Sequence, residues 1–245
     1  MKSHSLLLTL TMALVLSVAA PASARVIELG NVTGDRMTPS CPGNPCLAVT
    51  RTTGFQATAG TARSAFVSAG TGRVVAFTLR LGRPSASQIG FFDRQGGGPA
   101  RVRVAVLRPA GTRAGTPSYV LNAQSDEFRV QPYFGQTVQI PLYTSLLVRR
   151  SYVVALTVPT WAPVLAVSGL SNSFAWRSSR VAPCSTNPER QPPHNEPGSI
   201  KAYFCLYRPA ALTYSATIVT TPAVTPVPQR GGGGGGGGNS GNDDN

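Results

Sequence analysis

In run after run of this chain, apolar side chains recur at every second position, a period that fits a strand with one covered and one wet face. Within Arg73 to Leu81, Val75, Phe77, Leu79 and Leu81 share one side while Val74, Ala76, Thr78 and Arg80 share the other. Val102, Val104 and Val106 alternate with Arg101, Arg103 and Ala105. Val138, Ile140 and Leu142 alternate with Thr137, Gln139 and Pro141, and the proline marks a strand that is ending or lies at a sheet edge. Tyr152 to Val158 is apolar throughout, as a central strand is, and Leu212, Tyr214, Ala216 and Ile218 alternate with Thr213, Ser215 and Thr217.

Turn sequences separate these runs: Ala69-Gly70-Thr71-Gly72, Gly96-Gly97-Gly98-Pro99, Pro109-Ala110-Gly111 and Val148-Arg149-Arg150-Ser151. From Cys46 onward no segment shows capped helical spacing over three turns. Charged residues are only 13% of the 245, too few for the wet faces of several surface helices, whereas 42% hydrophobic residues suffice for a core. The expected fold is all-β, a single antiparallel β-sandwich, jelly-roll-like, with about ten strands over residues 45–220, preceded by an N-terminal arm at 25–44. Beyond Thr220 a Thr/Pro linker leads to the glycine run Gly231 to Gly238, so residues 221–245 are expected to be disordered.

Residues 1–24 read as a signal peptide: Lys2, an apolar run from Leu6 to Val18, and the small-residue site Ala22-Ser23-Ala24. That run is too short to span a bilayer, and no later stretch is long and apolar enough, so a secreted product starting at Arg25 is expected. An even number of cysteines in an exported chain reads as disulfides. Cys41 and Cys46 flank the turn sequence Pro-Gly-Asn-Pro, and Cys184 and Cys205 flank a proline-rich segment, which favours local pairing. Pairing between the two clusters stays open, since four cysteines allow three connectivities. A zinc site is disfavoured because the second pair lacks close ligand spacing.

Between Pro45 and Thr220 there are 18 basic and 5 acidic residues. Such a surface attracts anionic polymer, among them acidic polysaccharide and wall phosphopolymers. The export signal, and the lack of a basic helix or recognition motif, speak against nucleic acid as the physiological partner. Arg101 and Arg103, on the polar side of their strand, are candidate contacts for an anionic polysaccharide. Exposed rings are the alternative, for neutral sugars: Trp161 between Pro159 and Pro163, Trp176 with Arg177 and Arg180 nearby, and Tyr133 after Pro132.

Catalytic patterns are sparse. His194, the only histidine after the signal segment, sits in Gln-Pro-Pro-His-Asn-Glu-Pro and reads as an exposed loop residue; no serine lies in a nucleophile elbow. Asp126 and Glu127 are adjacent and would face opposite sides of a strand, whereas Asp93, Glu189 and Glu196 fall in expected loops. Gly96-Gly97-Gly98-Pro99 lacks the lysine of a phosphate-binding loop and reads as a hairpin connection. Nothing calls for a metal or a cofactor, and oligomeric state is not encoded in any pattern found.

The stretches Cys46 to Gln56, Pro132 to Pro141, Val153 to Pro163, Tyr203 to Arg208 and Leu212 to Thr217 resemble a group of exported actinobacterial proteins without assigned function. The resemblance covers about residues 25–220 and implies an exported β-rich domain, with no catalytic or ligand-binding residue to carry over. The expectation is a secreted, non-catalytic binding or surface-structural module; a secreted hydrolase acting on glycosidic or ester bonds is the alternative. Intact-mass analysis of exported protein should give a chain starting at Arg25 and four hydrogens lighter than its reduced form. Four free thiols in the native product would overturn the disulfide expectation.

Overall fold

A computed structural model describes residues 23–30, 37–184 and 192–222. Most of the expected signal peptide, Glu189 and nearly all of the expected disordered tail lie outside the described residues. Among the described residues fifteen strands, β1 to β15 in chain order, form two antiparallel sheets and a short ladder. The first sheet runs β1 (Val26–Leu29), β15 (Tyr214–Thr220), β4 (Gly72–Arg80), β8 (Thr137–Val148). The second runs β12 (Ile200–Ala202), β6 (Thr116–Gln124), β5 (Arg101–Arg113), β9 (Val153–Ala162), β2 (Val49–Ala59), β11 (Ala175–Ser178), β13 (Cys205–Tyr207). Two further strands complete it, β3 (Ala62–Arg63) on β2 and β7 (Phe128–Arg129) on β5, while β10 (Leu165–Ala166) and β14 (Ala211–Leu212) make the ladder.

The eight strands β1, β2, β4, β5, β6, β8, β9 and β15 define the architecture. Taken as first to eighth along the chain, they are ordered first-eighth-third-sixth in one sheet and second-seventh-fourth-fifth in the other. That is the double Greek key of a jelly roll. The expected sandwich is therefore present, with more strands than the ten expected because the connection from β9 to β15 carries β10 to β14. The expected arm is part of the body: β1 pairs with β15, and Ala24–Thr221 form one compact unit. Among the described residues no helix is long and apolar enough to cross a membrane.

Side chains from the two sheets meet in a dry core. Phe77, Leu79, Tyr214 and Ile218 come from one sheet, Val104, Val106, Val154 and Leu156 from the other, and all are fully or almost fully buried. The Tyr214 hydroxyl donates to the Val154 carbonyl at 2.9 Å, tying sheet to sheet. Alternation holds on β5 from Arg101 to Val104, whereas Ala105 and Leu107 are buried as fully as Val104 and Val106, so both faces of the strand are covered there, and β9 is a central strand. On β4 it breaks: the register shifts between Val74 and Ala76 in the ladder with β8, and the pairing with β15 also skips Val75, so Val74 turns inward in place of the expected Val75. A bulge of this kind adds one residue and reverses the faces beyond it. β8 lies at the edge of its sheet, as Pro141 suggested.

The expectation of no capped helix fails at α1 (Ala86–Gly96). Ser85 caps it, accepting from the Gln88 amide while the Gln88 side chain accepts from the Ser85 amide, a reciprocal capping box. Gly97, at φ +81°, ends it in the left-handed conformation, so the glycine run is a helix terminus and not a hairpin.

The second sheet curls strongly. Laid flat, its seven successive strands would put β12 and β13 roughly 29 Å apart at about 4.8 Å per strand. Only Tyr203 and Phe204 separate them in the chain, and three Cα steps reach at most about 11 Å. The two edges are therefore brought together. Phe55 of β2 and Tyr119 of β6, on strands with β9 and β5 between them, meet edge to face at 5.4 Å. Tyr203 closes the group at 5.7 Å from Phe55 and 5.1 Å from Tyr119. Replacing Tyr203 by Ala should cost about 3–5 kcal/mol in urea denaturation, as removal of a large buried ring does; a change below about 1 kcal/mol would show that the curl does not depend on it.

Candidate functional site

The expected site residues do not come together. Trp161, at the end of β9, is completely buried: its indole N–H donates to Asp93 at 2.8 Å, and Phe92 and Phe134 pack on the ring at 4.9 and 5.4 Å. The ring is thus enclosed by the junction of α1 with the sheet, which leaves no platform for a sugar. Asp93 lies on α1, not in a loop, and also accepts from Gln131. Tyr133 sits in a 3₁₀ turn, Gln131–Tyr133, 39% exposed. Arg101 and Arg103 do share a face of β5, but Glu127 reaches both, at 3.3 and 2.8 Å, so they are not a free cationic pair. Asp126 and Glu127 lie between strands, not on one.

His194 is buried, contrary to expectation. Its amide donates to the Thr53 hydroxyl at 3.0 Å, and Thr53 also meets Thr157 at 2.9 Å, so the loop is seated on β2 and β9. Nε2 lies 3.0 Å from the Ser199 carbonyl, which can only accept, so the proton is on Nε2. Nδ1 therefore accepts from the Tyr203 hydroxyl at 3.3 Å. Ser199 Oγ, although 3.0 Å from Nε2, donates its proton to the Glu196 carbonyl at 2.6 Å. In this arrangement His194 is no base toward Ser199; it fastens residues 194–199 to the curled sheet.

The residues the expected set does bring to one place are Trp176 and its neighbours. A groove of about 390 Å³ opens where β11 and β13 run beside the start of β2. Its aromatic wall is Trp176 stacked on Tyr207, cross-strand partners with ring centroids 4.6 Å apart. The indole fits because β2 carries glycine two residues from Gln56, the directly paired partner of Trp176: a Cβ on Gly54 would stand 2.8 Å from the Trp176 ring. Leu47, Val49, Leu165 and Val167 make the apolar side.

Two arginines line the same groove, Arg180 and Arg208, and among the described residues no carboxylate does. Arg180 donates to the Thr50 carbonyl and, at 3.4 Å, to the Tyr207 hydroxyl, which in turn donates to the Cys184 carbonyl at 3.0 Å. Both disulfides adjoin lining residues in the chain. Cys41–Cys46 immediately precedes Leu47, and Cys184–Cys205 ties the segment after Arg180 to β13, with Cα separations of 4.4 and 5.4 Å. Local pairing is thus the one the structure adopts. Among the described residues no group of three or more His, Cys, Asp or Glu side chains gathers to hold a metal ion.

Fold and groove together define an all-β, jelly-roll domain with an aromatic and cationic cleft and two local disulfides. Comparison with protein-family models, with curated proteins and with solved structures found no match.

Burial holds the His194 imidazole below its ordinary pKa; the bond to Ser199 opposes this, nearby Lys201 adds to it, and Glu196 opposes it. Because the folded pKa is depressed, His194 contributes its full stability above the unfolded value of about 6.5 and loses it as pH falls toward the folded value. Thermal unfolding should therefore come at a lower temperature at pH 5.5 than at pH 7.5. His194→Gln should lessen that difference; an unchanged difference would assign the acid sensitivity elsewhere.

Proposed function

We propose that this protein is a secreted, non-catalytic binding module that adheres to anionic extracellular or cell-envelope polysaccharide. The observation that carries this reading is that most described carboxylates are tied up by hydrogen bonds or ion pairs while many arginines are exposed to water. Glu28 accepts from Ser215 and Thr217, Asp93 from Trp161 and Gln131, and Glu127 pairs with Arg101 and Arg103. Among the described residues Glu28, Asp126 and Glu196 are the exposed carboxylates, and Glu28 is held by Ser215 and Thr217, against exposed arginines that include Arg63, Arg94, Arg108, Arg113, Arg149 and Arg150.

A net positive surface of this kind draws a polyanion from solution and holds it by many weak, exposed contacts, each screened by salt within about 8 Å at physiological ionic strength. Arg149 and Arg150 adjoin the turn between β8 and β9, both exposed and in no ion pair among the described residues. Retention on immobilised polygalacturonate should fall steeply with added sodium chloride. Arg149→Gln with Arg150→Gln should lower the eluting salt concentration while leaving the melting temperature within about 2 °C, because exposed substitutions of this kind change stability little. Retention that ignores salt, or turnover of a glycosidic or ester substrate by the purified protein, would sink the proposal.

A further inference from the structure

The groove beside Trp176 has a one-sided polar chemistry. The Trp176 indole nitrogen and Arg180 Nε are buried, and among the described residues neither has a hydrogen-bond partner. Trp176 is only 4% exposed. A buried donor without an acceptor is destabilising by about 1–3 kcal/mol, and both residues line the groove. Both can only donate. Arg208, exposed at the rim, adds a third donor group of the same sign. The rest of the lining is largely apolar, with Leu47, Val49, Leu165 and Val167.

A ligand that complements these walls must bring acceptors and negative charge on one edge and a C–H face on the other. A pyranose bearing a carboxylate has that form, and so does a sulfated one. An unsubstituted neutral sugar brings no charge for the arginines, and a bare anion leaves the apolar side uncovered. The stack of Trp176 on Tyr207 and the bonds of Arg180 to Thr50 and Tyr207 set the donors in place before a ligand arrives, which reduces the ordering cost of binding.

We infer that this groove is the specific subsite for one acidic pyranose unit of a polysaccharide chain, its carboxylate received by the Trp176 indole N–H and the Arg180 guanidinium. The inference rests on the proposed adhesion to anionic polysaccharide and names the unit that is read. Polymer held elsewhere by diffuse charge would then pass its units through one chemically selective point.

The chain has two tryptophans, so its indole N–H signals in a proton–nitrogen correlation spectrum are two, and Trp176→Phe identifies which is which. Titration with trigalacturonate should shift the Trp176 signal and leave that of Trp161, held by Asp93, in place. By calorimetry, Trp176→Phe, which keeps a ring against Tyr207, and Arg180→Gln should each weaken trigalacturonate binding at least fivefold. Should Arg180→Gln fail to fold, Arg208→Gln at the exposed rim should still weaken it at least twofold.

An equal shift with inorganic sulfate would reduce the site to a simple anion site, and equal affinity for maltotriose would remove its selection for charge; either result overturns the inference. If trigalacturonate does not bind while polygalacturonate still retains the protein, the subsite is wrong and the adhesion reading stands. If neither binds, both fall.

Discussion

Two residues of chain, Tyr203 and Phe204, impose the main constraint on this fold. They join strands at opposite ends of a seven-strand path, and so short a link obliges the sheet to bend until its edges nearly meet. Much of the remaining structure depends on that bend. The concave side fills with Phe55, Tyr119 and Tyr203, and the loop bearing His194 is locked in by Thr53 and Tyr203. The next strand, β13, is delivered against β11, which places Tyr207 on Trp176 and so makes the aromatic wall of the groove.

Strand periodicity was legible wherever one face is covered by the opposite sheet, as at the start of β5 and on β15, and the edge position of β8 could be read from a single proline. The bulge at Val75 was not, because nothing local distinguishes Val74 from Val75; the choice is made by two neighbouring ladders at once. α1 did leave a signal, the serine and glutamine three residues apart at Ser85 and Gln88 with Gly97 beyond, but its apolar face is short and its surface poor in charge. His194 and Trp161 were misplaced for a different reason. Their burial is decided by partners far along the chain, Thr53 for the one and Asp93 for the other, and a proline-flanked polar loop looks the same whether it hangs in water or plugs a curled sheet.

Charge divides along similar lines. The sum of basic residues was plain from the sequence, but which arginines are free was not. Arg101 and Arg103 are claimed by Glu127, Arg177 donates to the Tyr203 and Phe204 carbonyls, and Arg180 is drawn into the groove wall. Arginines at turns and strand ends stay in water, where they carry the field of the molecule without fixing its shape. Fold and surface charge are in this way largely independent.

Because β1 pairs with β15, residue 26 waits for residue 219 before the first sheet can gain its outer strand, and β4 too lacks one neighbour until the last strand is present. A chain built like this has little to gain from folding as it is made, since the sheet that closes the sandwich is completed by almost the last segment synthesised. Its first and last described strands lie side by side in the finished fold.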